Sequence, residues 1–265
     1  MKIAALQLPT LPLSNKKLRD YLQKASSNGA KVVVLGEYVL NNFFKELVTM
    51  QKNMIDIQSK HKIEALESFA KEFDLHIVAP IVIVNNNKIY KAVAHFSPTE
   101  TTYKNQEFLI NYNHWDEESF FDNEPSSEIS VLNFSLNGLN FAVINGFEIH
   151  FDPVWLEILK KDTDIVLIPS ASTFGSNQRW NEILKTRAFI NSLYVLRVNR
   201  IGSYQDEGSF WNFYGETYLI NPDGFIEETL DSNEDMLIAE IDIRELRESH
   251  SSWKFKEYLK KRNLI

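Results

Sequence analysis

Cysteine is missing from all 265 residues. That absence excludes disulfides, thiolate metal sites, iron–sulfur clusters and any sulfur nucleophile. Basic residues are in deficit: 28 Lys and Arg face 36 Asp and Glu, a formal net charge of −8. A nucleic-acid binder, which normally meets phosphates with a basic face, is therefore not expected, and nothing calls for a membrane surface as partner. No run reaches the ~18 apolar residues needed to span a bilayer. The opening MKIAALQLPT leads into a strand pattern without the apolar stretch of a signal peptide, so a cytoplasmic location is expected. There is no GxGxxG or GxxxxGKS/T run, and no His pair at i, i+4 beside an acid. Neither a nucleotide cofactor nor a metal is expected. Glycine and proline number only nine and eight, and they gather into no linker. With no repeat either, residues 1–265 are expected to form one domain.

What remains is ordinary globular material: 44% apolar, 24% charged, with 18 Phe and 10 Tyr for core and pocket. Short apolar runs alternate with helical patterns. Lys2–Leu8 reads as a strand and Asn15–Asn28 as a helix with Leu18, Leu22 and Ala25 on one stripe. Lys31–Gly36 (KVVVLG) is apolar throughout, as a strand buried on both faces would be. Lys62–Phe73 has helical spacing. Leu75–Val84 and Ile89–Phe96 read as strands joined at Asn85-Asn86-Asn87, where asparagine tolerates positive φ. The second half repeats the alternation: strand Asn140–Asn145, helix Pro153–Leu159, strand Asp164–Pro169, helix Trp180–Ser192, strand Leu193–Asn199, then Thr217–Ile220 and Phe225–Glu228 around a turn, strand Met236–Ile241 and a helix from Ile243. This implies a layered α/β architecture.

Glu37 follows the VVVLG strand, and in layered α/β proteins ligands gather beyond the carboxyl ends of strands. Lys104 lies in Thr101–Asn105, Glu117 in HWDEESFF, and Phe141–Pro153 reads FAVINGFEIHFDP. Each is unremarkable alone, since a lone loop carboxylate or lysine is more often merely solvated.

Taken together and in order, these segments resemble the nitrilase, or carbon–nitrogen hydrolase, family. MKIAALQL is similar to its first strand, VVVLGEY to the strand carrying a catalytic Glu, IYKAVAHFSP to the hairpin before its Lys segment, and GFEIHFDP to its nucleophile turn. DIVLIPSAS, WNEILKTRAFINSLYVLRVNRIG, FYGETYLINPDGFIEETL and AEIDIREL resemble the later segments. The resemblance implies a four-layer αββα sandwich and a division of labour in which Glu is base, Cys attacks an amide or nitrile carbon, Lys steadies the oxyanion, and a second Glu positions the parts. Carried over, Glu37 matches the base and Glu117 the second Glu. Phe147 and Glu148 match the aromatic and acid after the nucleophile, and the Phe147 N–H an oxyanion donor. Two positions depart. The nucleophile's place is Gly146. The family's Tyr-x-Lys spacing lands on Asn105, with the lysine one residue early at Lys104; such a shift in an extended segment turns a side chain to the other face.

Three readings follow. The first is a silent family member that keeps a pocket between Glu37, Glu117, Gly146 and the Trp115 segment, its floor slightly enlarged by the glycine. The second is an active hydrolase using another group: Ser119, Ser170, Ser172 or Thr173 with His114 or His150, or a water held by Glu37 and Glu117. The third is a glycine introduced in place of a native cysteine. The expected ligand is a small amide, nitrile or N-carbamoyl amine, with a cationic or amide N–H end suited to the two carboxylates and to the acidic loop of Asp116, Glu118 and Asp122. Ser170, Trp115, Phe147 and Glu148 are the expected pocket contacts. The resemblance also implies a homodimer.

Overall fold

In the computed structural model, which describes residues 1–206 and 208–265, the first half of the chain forms β1 (Lys2–Gln7), α1 (Lys16–Ser27), β2 (Ala30–Leu35), α2 (Phe44–Leu47), α3 (Lys52–Phe73), β3 (His76–Asn85), β4 (Lys88–Phe96) and β5 (Thr101–Asn105). A small ribbon of β6 (Asn111–Tyr112) and β7 (Trp115–Asp116) follows. The second half forms β8 (Leu132–Leu136), β9 (Leu139–Val143), α4 (Asp152–Lys160), β10 (Ile165–Ser170), α5 (Asn177–Asn191), β11 (Tyr194–Asn199), the hairpin β12 (Ile201–Gln205) and β13 (Phe210–Tyr214), then β14 (Tyr218–Ile220), β15 (Ile226–Thr229), β16 (Asp235–Glu240), α6 (Ile243–Trp253) and α7 (Phe255–Lys260).

Two six-stranded sheets result, ordered β16-β1-β2-β3-β4-β5 and β15-β14-β11-β10-β9-β8. Their central strands are parallel (β1 with β2, β2 with β3, β9 with β10, β10 with β11), and these are the continuous apolar runs. Period-2 alternation divides each run between two apolar layers. Val32 and Val34 of β2 enter the layer between the sheets with Leu167 of β10 and Leu196 of β11. Val33 and Leu35 face outward beneath Leu18 and Leu22 of α1 and Leu66 of α3. Val166 and Ile168 face outward beneath Ile158 of α4 and Leu184 of α5. Helix, sheet, sheet, helix is thus the observed layering, the αββα sandwich expected.

Several boundaries move. Helix α3 begins at Lys52, ten residues before the expected Lys62. Its early turns bury polar groups on the inward stripe: Ser59 is buried, and so is Lys62, whose Nζ donates to Pro12 O at 2.6 Å. An apolar-periodicity reading stops where those residues break the stripe. The Asn86-Asn87 turn is as expected, with φ of 49° and 62° in the two-residue form that matches strand twist.

The two sheets come into backbone contact where β2 ends. A β-carbon on Gly36 would lie 3.0 Å from Arg200 N and 3.2 Å from Ser170 O, so only glycine lets the two backbones approach. Glu37 N and Arg200 N both donate to Ser170 O, each at 3.2 Å. This crossing carries Glu37 to the ends of β9 and β10, beside Gly146 and Ser170.

Candidate functional site

Glu37 and Glu117 come together, and the cation between them is Lys91. Its Nζ lies 2.8 and 2.9 Å from the two carboxylate oxygens of Glu117 and 3.3 Å from Glu37 Oε2. The other Glu37 oxygen accepts the Gly146 N–H at 3.1 Å. Tyr38 donates its hydroxyl to Glu117, its ring lies under the Lys91 ammonium at 4.9 Å, and its φ of 56° turns it back toward the cluster. All of these side chains are buried; Lys91 and Glu117 are 3% and 0% exposed at the side chain.

Lys104, the lysine expected here, is elsewhere. It lies opposite Val93 across the β4–β5 pair, so it does share the inward side of the sheet with Lys91. It sits on the edge strand, however, and its ammonium pairs with Glu107 instead, 28% exposed. A lysine already fills the space between the carboxylates. The signal for Lys91 was present in KIYKAVAHF, where a cation falls between Ile89 and Val93 on one side of the strand.

Burial pushes the Glu37 carboxyl up from its ordinary range, with Lys91 opposing and the Glu117 charge reinforcing the shift. For Lys91, burial alone would lower the ammonium, but the carboxylates of Glu117 and Glu37 outweigh it and the net shift is upward. Burial also raises Tyr38, seconded by Glu117. The cluster is therefore a closed ion network of a carboxylate pair around a locked ammonium. A void beside Tyr38 and Lys91 measures about 10 Å³, no more than a single water requires.

Gly146 opens a single 3₁₀ turn, Gly146–His150. The space above it is occupied: a β-carbon on Gly146 would lie 2.9 Å from Ser170 Cβ and 3.0 Å from Trp180 Cη2. The enlarged floor expected from the glycine is thus absent, because Trp180 from the first turn of α5 lies over the turn beside Ser170. Trp180 is itself held from behind by Arg197, whose guanidinium lies 4.8 Å from the ring centroid.

Glu148 faces away from solvent and fastens the turn. Its two oxygens accept the N–H groups of Glu107 and Asn145, each at 2.8 Å. Burial nevertheless lifts its pKa to about 7, with those two donors pulling the other way. Between its ordinary 4.5 and about 7, the folded protein keeps a proton that the unfolded chain releases. Stability should therefore fall as pH rises through that window, by on the order of 3 kcal/mol. Urea unfolding of the parent and of Glu148→Gln across the window checks this. The variant is expected to start lower, having lost one acceptor, and to lose this part of the slope.

A cavity of about 400 Å³ lies beside the turn, walled by Tyr112, His114, Trp115, Phe147, Phe174 and Trp180 among others. Trp115 and Phe147 line it, and Glu37, Glu117, Gly146, Glu148 and Ser170 do not. The pocket is not shared by the two carboxylates. Nor does the acidic loop face it: Asp116 accepts from Ser119 N, Asp122 from Ile89 N, and Glu118 from Asn111. Of the candidate hydroxyls, only that of Ser172 has no hydrogen-bond partner, and among the described residues no histidine nitrogen is within reach to take its proton; the others are already engaged. Ser170 Oγ donates to Val198 O and Asn199 Oδ1, Ser119 to Asp116 O, and Thr173 to Asn212 O. His150 Nδ1 is bonded to Phe147 O. Among the described residues no Ser or Thr hydroxyl is within hydrogen-bond reach of a histidine nitrogen.

Two stacked sheets flanked by helices define the class, and Glu37 at the end of β2 reaches the turn after β9. The chain belongs to the carbon–nitrogen hydrolase family, whose model matches residues 2–250. It is similar to the omega-amidase YafV of Escherichia coli K12, 31% identical over 105 residues, which covers 38% of this chain and 40% of that protein; the match therefore spans two fifths of that relative's length. It is also similar to the 2-oxoglutaramate amidase of Bacillus subtilis, 24% identical over 91% of this chain and 89% of that one. The same fold occurs in a carbon–nitrogen hydrolase from Helicobacter pylori G27, with TM-score 0.82, 18% identity, and coverage of 97% and 95%. It occurs too in a cysteine-to-alanine variant of the amidase from Nesterenkonia sp. AN1 in complex with butyramide, with TM-score 0.76, 18% identity, and coverage of 96% and 97%.

Proposed function

We propose that this protein is a single-domain, catalytically silent member of its family that keeps a pocket for a small organic ligand. The observation that carries the reading is the packing at Gly146. The position matching the family's nucleophile bears no side chain, and Trp180 and Ser170 leave no room for one. That packing also speaks for a native glycine over one introduced in place of cysteine, since a cysteine there would require its neighbours to differ. The base position, Glu37, is held by Lys91 and by the Gly146 N–H, and the ionisable groups of the cluster serve one another. The amides named among the relatives, and the butyramide held by a family member stripped of its cysteine, support a ligand of that general size. Ammonia release from a panel of amides, nitriles and N-carbamoyl amines tests the reading. The parent protein should release none above buffer. Saturable release would support an active enzyme working through a water or hydroxyl instead.

A further inference from the structure

We propose that the cavity beside the Gly146 turn binds a planar organic anion, an aryl-bearing carboxylate or its isostere, in place of the amine-type ligand that two pocket carboxylates would select. The inference rests on the reading of the site as silent, in which the two carboxylates stay locked around Lys91 and outside the cavity.

The walls set the shape. Tyr112 and His114 stack at 5.7 Å, Tyr112 meets Phe147 edge-on at 5.8 Å, Phe147 continues to His150 at 5.6 Å, and His150 to Trp180 at 6.0 Å. On the other side His114 meets Phe174 at 5.9 Å. A cavity of about 400 Å³ within such a belt suits a flat ring, which gains both burial and offset or edge contacts.

The charges set the sign. The ionisable residues lining the cavity are Tyr112, His114, His150 and Arg179, and none is acidic, although the chain carries a net charge of −8. Behind the wall, Arg197 is fully buried and packs over Trp180 at 4.8 Å, Tyr214 at 5.5 Å and Tyr218 at 5.3 Å. It donates to the Glu216 backbone carbonyl and the Tyr214 hydroxyl, each at 3.1 Å. It forms no ion pair among the described residues, so its charge is felt across the indole in a poorly screened interior. A guanidinium already occupies one face of Trp180, and a second cation on the other face would meet repulsion from it. An aromatic cage for ammonium ligands, the other use of such a belt, is disfavoured for that reason. Ser172 lines the cavity, is 4% exposed, and its hydroxyl has no partner; it is free to rotate and donate to an acceptor on the ligand. Arg179 on the rim supplies a forked donor matched to a carboxylate.

Calorimetry with three probes of one shape, 3-phenylpropionate, 3-phenylpropionamide and phenethylamine, tests the proposal. The carboxylate should bind at least about tenfold more tightly than the amine, with the amide between them. Arg179→Gln should weaken the carboxylate about tenfold, the worth of one charge-assisted contact, and leave the amide within about twofold. A melting curve matching the parent's confirms that the exposed substitution leaves the fold intact. Equal or tighter binding of the amine, a common loss of all three probes in the variant, or no binding of any probe would overturn it. Ammonia released from the amide would defeat the silent reading instead, with the ranking of the other two probes still judging the charge preference.

Discussion

Lys91→Met should destabilise the fold by about 3–5 kcal/mol, the usual consequence of removing one partner from a buried ion network. The substitution keeps an unbranched chain of similar length but leaves Glu117 and Glu37 facing each other with no cation between them, at a site where Glu117 is fully buried. One carboxyl would be driven to take up a proton, and the double variant Lys91→Met, Glu117→Gln should regain part of the loss, because the amide oxygen still accepts from Tyr38 while the second charge is gone. Urea unfolding at neutral pH reads both. A loss below about 1 kcal/mol, as for a solvent-exposed pair, would mean that the ammonium does not organise the cluster. Lys104→Met is the natural control. Its side chain is 28% exposed where that of Lys91 is 3%, and although its partner Glu107 is itself largely covered, the loss should be smaller than that at Lys91.

The contrast between these lysines shows what the sequence could and could not carry. Glu37 and Glu117 were legible because each sits at a strand or loop end whose neighbours form an ordered run of family-like segments. Gly146 was legible because a chain with no cysteine cannot hide one. Lys91 is not singled out by the sequence as Lys104 is: sequence spacing measures position along a strand, while the choice of cation depends on which strand lies beside Glu117 in space. The strand alternation in IYKAVAHF does put Lys91 on the inward side, so the information was local, but its meaning was not. Trp180 had no local signal. It lies in the first turn of a helix without a marked apolar face, and nothing in WNEILK says that the indole crosses to cap a turn formed about 30 residues earlier in the chain. The same holds for Arg197, a cation within LYVLRVN whose partners Trp180, Tyr214 and Tyr218 come from three other segments. The layered fold was readable because buried parallel strands advertise themselves as unbroken apolar runs; the α3 start was not, because its inward stripe carries Ser59 and Lys62.

The largest expected effect on chemistry concerns the turn itself. Gly146→Cys should fail to create a usable thiol. The new β-carbon meets Ser170 Cβ at 2.9 Å and Trp180 Cη2 at 3.0 Å, an overpacking that costs about 1–3 kcal/mol, and Trp180 cannot simply swing aside because Arg197 and His150 hold its ring. Adding Trp180→Ala removes the cap and opens the turn to the cavity, with Glu37 bonded to the residue's own N–H and positioned beside the sulfur. Because the chain has no other cysteine, alkylation by iodoacetamide reports on position 146 alone. Gly146→Cys by itself should label on the order of 100-fold more slowly than the double variant, since reaction must wait for local opening. Labelling of the single variant at the rate of a free thiol, or amide hydrolysis by it without any change at Trp180, would contradict a nucleophile turn that is packed shut.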